Sequence, residues 1–179
     1  MSQELKAMQD ISDERLKSQM KIYVGIDPGK NGGIAFLGED NKLIYKHVMP
    51  MIGKEYDIQE LKNILSKHPI EHLAIENVHA IQGRIGNSSN FSFGLGKGIL
   101  MGLVAGLNIP YTLVNPKTWQ KIAWEGVTKQ ADNKKTSLVA AKRLFPEESF
   151  LATERSRVAH DGLVDGALMA YYIKLKLNG

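Results

Sequence analysis

The order of apolar segments along the chain predicts an α/β fold with a mixed five-stranded sheet flanked by helices. Three successive segments joined by short turns, at residues 23–26, 34–37 and 42–49, are typical of antiparallel strands. Two later strands, predicted at residues 73–76 and 111–114, alternate with helical segments, as parallel crossover units do. The length of 179 residues, 43% of them hydrophobic, suits a single globular domain with a substantial core.

Composition narrows the class of protein. The chain has no cysteine, which excludes disulfides, thiolate metal sites and a cysteine nucleophile. No apolar run approaches the roughly 20 residues that cross a bilayer, and the N-terminus does not resemble a signal peptide, so we expect an intracellular protein without membrane contact. A net charge of +4 favours an anionic partner. Residues 1–20 are polar and are interpreted as an extension of a domain that spans residues 21–179.

Helical spacing predicts five helices, one of them of unusual composition. The predicted ranges are 57–68, 91–108, 116–124, 134–145 and 160–175, and residues 79–90 are expected to form a loop. In the second helix Gly94, Gly98, Gly102 and Gly106 recur every four residues and therefore share one face. Each glycine costs about 1 kcal/mol relative to alanine, and close packing has to offset that cost. We expect this helix to be buried, with its glycine face packed on the sheet or, alternatively, against a second helix.

Four acidic residues stand where functional groups gather in such folds. Asp27 ends the first predicted strand and Glu76 ends the fourth, and ligand sites form at the carboxyl ends of strands. Asp161 and Asp165 lie four residues apart on the last helix and share a face, where like charges repel unless a cation lies between them. Four carboxylates directed at one place make an all-oxygen site, which suits Mg²⁺ or Mn²⁺ rather than zinc.

Each acid also has an ordinary structural interpretation. Asp27 precedes Pro28 and could be a turn residue. Asp161 could cap a helix, although His160 is the residue we expect to do so, and Glu76 could pair with a lysine. We favour the joint site because the ordinary interpretations require four unrelated coincidences.

Four segments, in this order, resemble the RuvC-type Holliday-junction resolvases, and the phage-like branch is the most similar. They are IYVGIDPGKNGGIAFL, LAIENVHA, SSNFSFGLGKGILMGLVAGLNIPYTLVNPKTWQK and HDGLVDGALMAYY, which together cover about residues 21–175. The resemblance implies an RNase H-like fold and a homodimeric endonuclease that cuts four-way or other branched DNA by paired nicks, without a nucleotide cofactor. It also implies two Mg²⁺ ions per active site, for which Mn²⁺ can substitute. Such a protein would work in the cytoplasm or another DNA-containing compartment, and the phage-like motifs fit a phage origin.

The resemblance also assigns roles to individual residues. Asp27 would bridge the two ions, Glu76 would hold one of them, and Asp165 would hold the other. In many relatives the fourth acid lies three residues before the last one, which here is Gly162, whereas the HDG form of phage-like members points to Asp161. We assign the role to Asp161.

Basic residues near these acids are candidates for contacts with DNA. Lys135 lies roughly where the family has a catalytic lysine, and His79 replaces a phenylalanine that bacterial relatives wedge between bases. His79 either stacks on a base or is an ordinary loop residue. The complete set of predicted DNA contacts is His79, Arg84, Lys97, Lys117, Lys121, Lys134 and Lys135. Trp119 and Trp124 are expected to belong to the core.

Three other functions are compatible with parts of this pattern. An actin-like or sugar-kinase-like ATPase has a similar first hairpin but needs two such lobes and a longer chain. A junction-binding module that does not cut would be expected to have lost acids, and all four are present here. The third is a related RNase H-like nuclease that acts on other branched DNA or on RNA–DNA hybrids, and the sequence leaves it open.

Overall fold

The computed structural model describes residues 20–77 and 87–179, with side chains from residue 94 onward in the second range. Apart from Met20, the predicted N-terminal extension lies outside the described residues. The strands are β1 (Ile22–Asp27), β2 (Gly33–Gly38), β3 (Leu43–Val48), β4 (Met51–Ile52), β5 (Glu55–Tyr56), β6 (Ile70–Glu76) and β7 (Tyr111–Val114). The helices are α1 (Ile58–Ser66), α2 (Asn87–Gly106), α3 (Pro116–Ala123), α4 (Asn133–Leu144) and α5 (Asp161–Asn178).

The predicted mixed sheet is confirmed. Its strand order is β3-β2-β1-β6-β7. The first three strands pair antiparallel, whereas β6 runs parallel to both β1 and β7. Because β1 and β6 are parallel neighbours, with Ile26 paired to Ile75, their last residues Asp27 and Glu76 lie at the same edge of the sheet.

Helices cover both faces of this sheet, which explains why its central strands read as continuous apolar runs. Side chains of β1 alternate between two core clusters. Tyr23 packs in the cluster that includes residues of α3, α4 and α5. Ile22, Val24 and Ile26 pack in the other cluster, which includes residues of α1 and α2. Within the described residues no helix is long and apolar enough to pass through a membrane.

The closest packing in the fold occurs where α5 crosses the sheet. A Cβ atom on Gly25 would lie 2.5 Å from the amide nitrogen of Ala170 and even closer to the carbonyl oxygen of Gly166. A Cβ atom on Gly33 would lie 2.7 Å from the carbonyl carbon of Gly162. The backbone of α5 therefore rests directly on the backbones of β1 and of the start of β2. This contact determines the distance between α5 and the sheet, and with it the positions of Asp161 and Asp165.

The expected packing of the α2 glycines on the sheet was wrong, and packing against a helix of a second copy remains a prediction. Gly94, Gly98, Gly102 and Gly106 are exposed, and a Cβ atom on any of them would meet no atom of the described residues within 4 Å. The buried face of α2 is the opposite one, which carries Leu100 and Val104 and begins at Gly96. Position 96 differs from positions 94 and 98 by two residues, about 200° of helix rotation. The sheet therefore contacts one side of the helix, and the glycine face points away from it.

We expect Gly102→Ala to raise the free energy of unfolding by about 0.5–1 kcal/mol, because alanine is the better helix former and the added methyl meets nothing. Denaturant unfolding measures this change. The matched control is Gly96→Ala, which should lower stability because a Cβ atom there would overlap the Tyr56 side chain. A loss of stability in Gly102→Ala, together with smaller species on sedimentation, would show that a second helix covers this face in solution.

Two local features differ from the sequence prediction. The short hairpin of β4 and β5 was not predicted, since each strand has only two residues. Its turn contains Gly53 at a φ of 60°. Helix α2 begins at Asn87, so the loop prediction was wrong for residues 87–90, where asparagine and serine suit a first helical turn. The remainder of that predicted loop, residues 79–86, lies outside the described residues.

Candidate active site

Asp27 is held in a tight turn at the end of β1. Its Oδ1 accepts a hydrogen bond from the Gly29 amide at 3.2 Å, so Asp27 does act as a turn residue, and its metal role remains a prediction. The Tyr56 hydroxyl donates to the Pro28 carbonyl at 2.9 Å and fixes the same turn from the β4–β5 hairpin. Burial is the main factor that raises the pKa of Asp27, and the negative charge of Asp161 adds to it.

Glu76 is half-buried at the end of β6 and interacts with an indole. The Trp119 Nε1–H donates to Glu76 Oε1 at 3.0 Å. Burial, followed by the negative charge of Asp27, raises the pKa of Glu76 to about 7, while the Trp119 hydrogen bond opposes the rise. In the described part of the chain no lysine forms an ion pair with Glu76, so that structural alternative is not supported.

The negative charges of the other three acids all affect the pKa of Asp165. Burial is the largest cause that raises its pKa to about 7, and the charges of Asp27, Glu76 and Asp161 add to the effect. A hydrogen bond with the buried Ser137 hydroxyl of α4 acts in the opposite direction. The four carboxylates therefore form one electrostatic cluster, in which the negative charges of neighbouring acids help to raise the pKa values of Asp27, Glu76 and Asp165.

Asp161 is more exposed and has a cationic partner. It is the first residue of α5, and its Oδ2 lies 2.5 Å from the Nζ of Lys134 on α4. His160 occupies the predicted N-cap position, where its carbonyl oxygen accepts hydrogen bonds from the first turn, but its side chain makes no capping hydrogen bond. The His160 Nδ1 is buried and has no hydrogen-bond partner among the described residues.

The alternative position for the fourth acid is excluded by packing. A Cβ atom on Gly162 would lie 2.6 Å from the Cα of Gly32 and 2.7 Å from the amide nitrogen of Gly33. Real Cβ atoms do not approach backbone this closely, so no acidic side chain fits at position 162 beside this sheet. Of the two candidate positions, only Asp161 can present a carboxylate here.

The cluster has the donor chemistry of a divalent-cation site. Its side chains are all carboxylates, three of them half-buried and with raised pKa values, and hard cations prefer such oxygen donors. In the described ranges no three acidic or histidine side chains lie close enough together to hold one ion. The residues supply the oxygen donors and the uncompensated charge that a divalent cation would neutralise.

The basic residues predicted to contact DNA fall into three groups. Lys134 reaches the acids directly, and Lys97 donates to the Asn77 side chain, next to Glu76. Lys117 and Lys121 of α3 and Lys135 of α4 are exposed. His79 and Arg84 lie outside the described residues. The catalytic role of Lys135 remains a prediction. The lysine that contacts an acid is its neighbour Lys134, which pairs with Asp161.

Sequence reasoning missed three residues that support the acids. Trp119 was correctly placed in the core, where it is 0% exposed, but its hydrogen bond to Glu76 was not foreseen. Ser137 and Tyr56 were not singled out at all. The available signal was indirect: Trp119 follows three residues after Pro116, which starts the helix at the end of β7 beside Glu76.

Comparison with known proteins places this geometry in a structural class. No protein-family model matches the sequence, and no curated protein matches it significantly. Among solved structures, Thermus thermophilus RuvC in complex with a Holliday junction substrate superposes with a TM-score of 0.60 at 14% identity, covering 88% of this chain and 96% of that one. A second Thermus thermophilus RuvC structure gives a TM-score of 0.60 at 14% identity over 87% and 96% of the two chains.

A eukaryotic structure matches as well. The yeast mitochondrial Holliday junction resolvase Ydc2 has a TM-score of 0.51 at 18% identity, over 86% of this chain and 80% of that one. The mixed five-stranded sheet with flanking helices is thus an RNase H-like α/β fold. Within that class, this chain has the fold of the RuvC-type Holliday-junction resolvases. The phage-like branch remains a prediction.

Proposed function

We propose that this protein is a metal-dependent, structure-selective DNA endonuclease that resolves four-way junctions. The observation that carries the proposal is the electrostatic cluster of four carboxylates at the end of β1 and β6 and the start of α5, within a RuvC fold. A structural neighbour bound to a Holliday junction substrate supports junction DNA as the ligand.

Asp27, Glu76, Asp161 and Asp165 would hold two Mg²⁺ ions, with Mn²⁺ as a substitute. Such a pair supplies activation of the attacking water and stabilisation of the leaving oxygen. The chain's own contribution is positioning: the Gly29 amide fixes Asp27, and Ser137 holds Asp165. Carboxyl groups whose pKa lies near 7 are partly protonated at neutral pH, so metal binding would release protons.

The homodimer is part of the proposal and rests on the substrate. A four-way junction has two-fold symmetry, and clean resolution requires nicks in two opposed strands. A closed two-fold dimer presents two sites at once, and such pairs are the commonest oligomers. A single site would have to release the junction and rebind it in the opposite orientation between cuts.

Cleavage of a panel of labelled substrates in Mg²⁺ tests the function. We expect the four-way junction to be cut faster than duplex, flap or RNA–DNA hybrid substrates of matched sequence. Preference for a flap or hybrid would identify a related RNase H-like nuclease with another substrate. Tight junction binding without cutting in either Mg²⁺ or Mn²⁺ would identify a non-cutting binding module.

Lys134→Ala should slow single-turnover junction cleavage by about 10²-fold, the typical cost of removing one preorganised electrostatic group. The Lys134 Nζ lies next to the acidic cluster, 2.5 Å from the Asp161 Oδ2. The matched control is Lys135→Ala, which removes the next lysine of the same helix and should cost less. The reverse order of effects would return the catalytic assignment to Lys135.

Mg²⁺ should stabilise the protein more at about pH 8 than at about pH 5. Glu76 and Asp165 have pKa values raised to about 7 in the folded chain, against about 4 when unfolded. The metal-free protein therefore loses stability as the pH rises from about 4 to about 7, and a bound cation removes that penalty. Thermal melting with and without Mg²⁺, against NaCl of equal ionic strength, measures the difference. Equal stabilisation at both pH values would contradict the metal assignment of these two carboxylates.

A further inference from the structure

Contacts between the end of β6 and the end of β7 hold the start of α3 next to Glu76. Glu76 pairs with Val114 in the β6–β7 register, and the Asn77 amide donates to the Val114 carbonyl at 2.7 Å. One residue further on, the Asn77 side chain donates to Asn115 at 3.2 Å. Helix α3 begins immediately afterwards, which brings Trp119 of its first turn within hydrogen-bond distance of Glu76.

The two tryptophans of the chain behave differently in the same core. Their rings meet edge to face, with centroids 6.4 Å apart. Trp119 is fully buried and donates to Glu76, whereas the Nε1 of Trp124 is buried and has no acceptor among the described residues. Of the two indoles, Trp119 is therefore the one that the described structure joins to an acid.

We propose that Trp119 is a positioning residue that orients Glu76 for metal binding. This inference rests on the proposed function. A single N–H engages one carboxylate oxygen, Oε1, and so restricts the rotation of the carboxylate, while Oε2 accepts no hydrogen bond among the described residues. Groups that hydrogen-bond to metal ligands orient them, and their loss typically costs about 10–100-fold in metal affinity or activity.

Trp119→Phe removes the donor and keeps an aromatic ring, and Trp124→Phe is the matched control. We expect the Kd for Mn²⁺, titrated on the DNA-free protein by electron paramagnetic resonance, to rise about 10–100-fold in Trp119→Phe. Trp124→Phe should leave it within about twofold of wild type, because among the described residues the Trp124 Nε1 donates to none of the acids and phenylalanine keeps a ring against Trp119. Excess Mn²⁺ should restore the cleavage rate of Trp119→Phe, which a purely structural defect would not allow.

A second variant removes the N–H without changing the shape of the ring. The chain has only two tryptophans, so in the Trp124→Phe background a tryptophan analogue labels position 119 alone. Benzothienylalanine, in which sulfur replaces the N–H, should reproduce the weakened Mn²⁺ binding of Trp119→Phe at nearly the same melting temperature as tryptophan. This variant decides the question if Trp119→Phe does not fold.

The outcomes separate this inference from the proposed function. Junction cleavage by the wild type, with unchanged Mn²⁺ affinity in the benzothienylalanine protein, would overturn the role of Trp119 and leave the nuclease intact. Mn²⁺ binding that depends on Trp119, in a protein that cuts no substrate of the panel, would support the inference and refute the nuclease. A wild-type protein that binds no Mn²⁺ would overturn the role of Trp119, because Glu76 would then have no metal to hold.

Discussion

Asp27→Asn is expected to abolish junction cleavage, with a loss of at least about 10³-fold, while junction binding is kept. The substitution removes a negative charge from the centre of the acidic cluster, and the metal-bound charge stabilisation of the transition state is worth several kcal/mol. The proposed contacts with phosphates come from basic side chains, which the change does not touch. Binding could only tighten, since one carboxylate that repels the DNA backbone is gone.

The same substitution should raise the melting temperature of the metal-free protein. Burial and Asp161 raise the pKa of Asp27, so the ionised side chain destabilises the fold, and a neutral amide removes that cost. Asp57→Asn is the matched control. Asp57 caps α1 through the Glu60 amide, a role that asparagine fills equally well, so neither activity nor stability should change much. Substantial cleavage by Asp27→Asn in Mg²⁺ would rule out its metal role.

Mixtures of Asp27→Asn and wild-type chains also test the dimer. Mixed dimers should nick a cruciform plasmid once and yield open circles, whereas wild-type dimers should yield linear product. A protein that sediments as a monomer, both free and on junction DNA, would contradict the proposed dimer without affecting the assignment of the acids.

The acids at the strand ends could be predicted because their signals are local. Asp27 and Glu76 each end an apolar strand, but that those strands are neighbours is known only from the strand order of the sheet. The choice between Lys134 and Lys135 could not be made in this way. One residue is about 100° of helix rotation, and helix boundaries read from a sequence are uncertain by that much or more.

The roles of the glycines could not be predicted, because the same spacing occurs in two opposite settings. Gly94 and Gly98 of α2 are four residues apart and face open space. Gly162 and Gly166 of α5 are also four residues apart and contact backbone. Spacing shows which residues share a helix face, but only the tertiary arrangement decides which face meets the sheet. The glycine spacing therefore predicted close backbone packing for α2, whereas the structure has it at α5.

Gly25→Ala is expected to cost about 3 kcal/mol or more in the free energy of unfolding, at the upper end of the range for overpacked cores. A Cβ atom there would lie 2.5 Å from the Ala170 amide nitrogen and 2.9 Å from the Met169 Cβ, and closer still to the Gly166 carbonyl oxygen. Because two of these atoms are backbone, no side-chain rotation relieves the overlap. Helix α5 has to move away from β1.

That displacement should also reduce cleavage in whatever fraction remains folded, since α5 carries Asp161 and Asp165. Denaturant unfolding gives the stability, and single-turnover cleavage below the melting temperature gives the activity. Gly102→Ala is the matched control, the same change at an open helix position. If Gly25→Ala does not accumulate, Gly166→Ala is the milder test, because its Cβ would lie 3.1 Å from the Gly25 carbonyl oxygen. Wild-type stability in Gly25→Ala would mean that α5 does not rest on β1, and the placement of both aspartates would lose its structural basis.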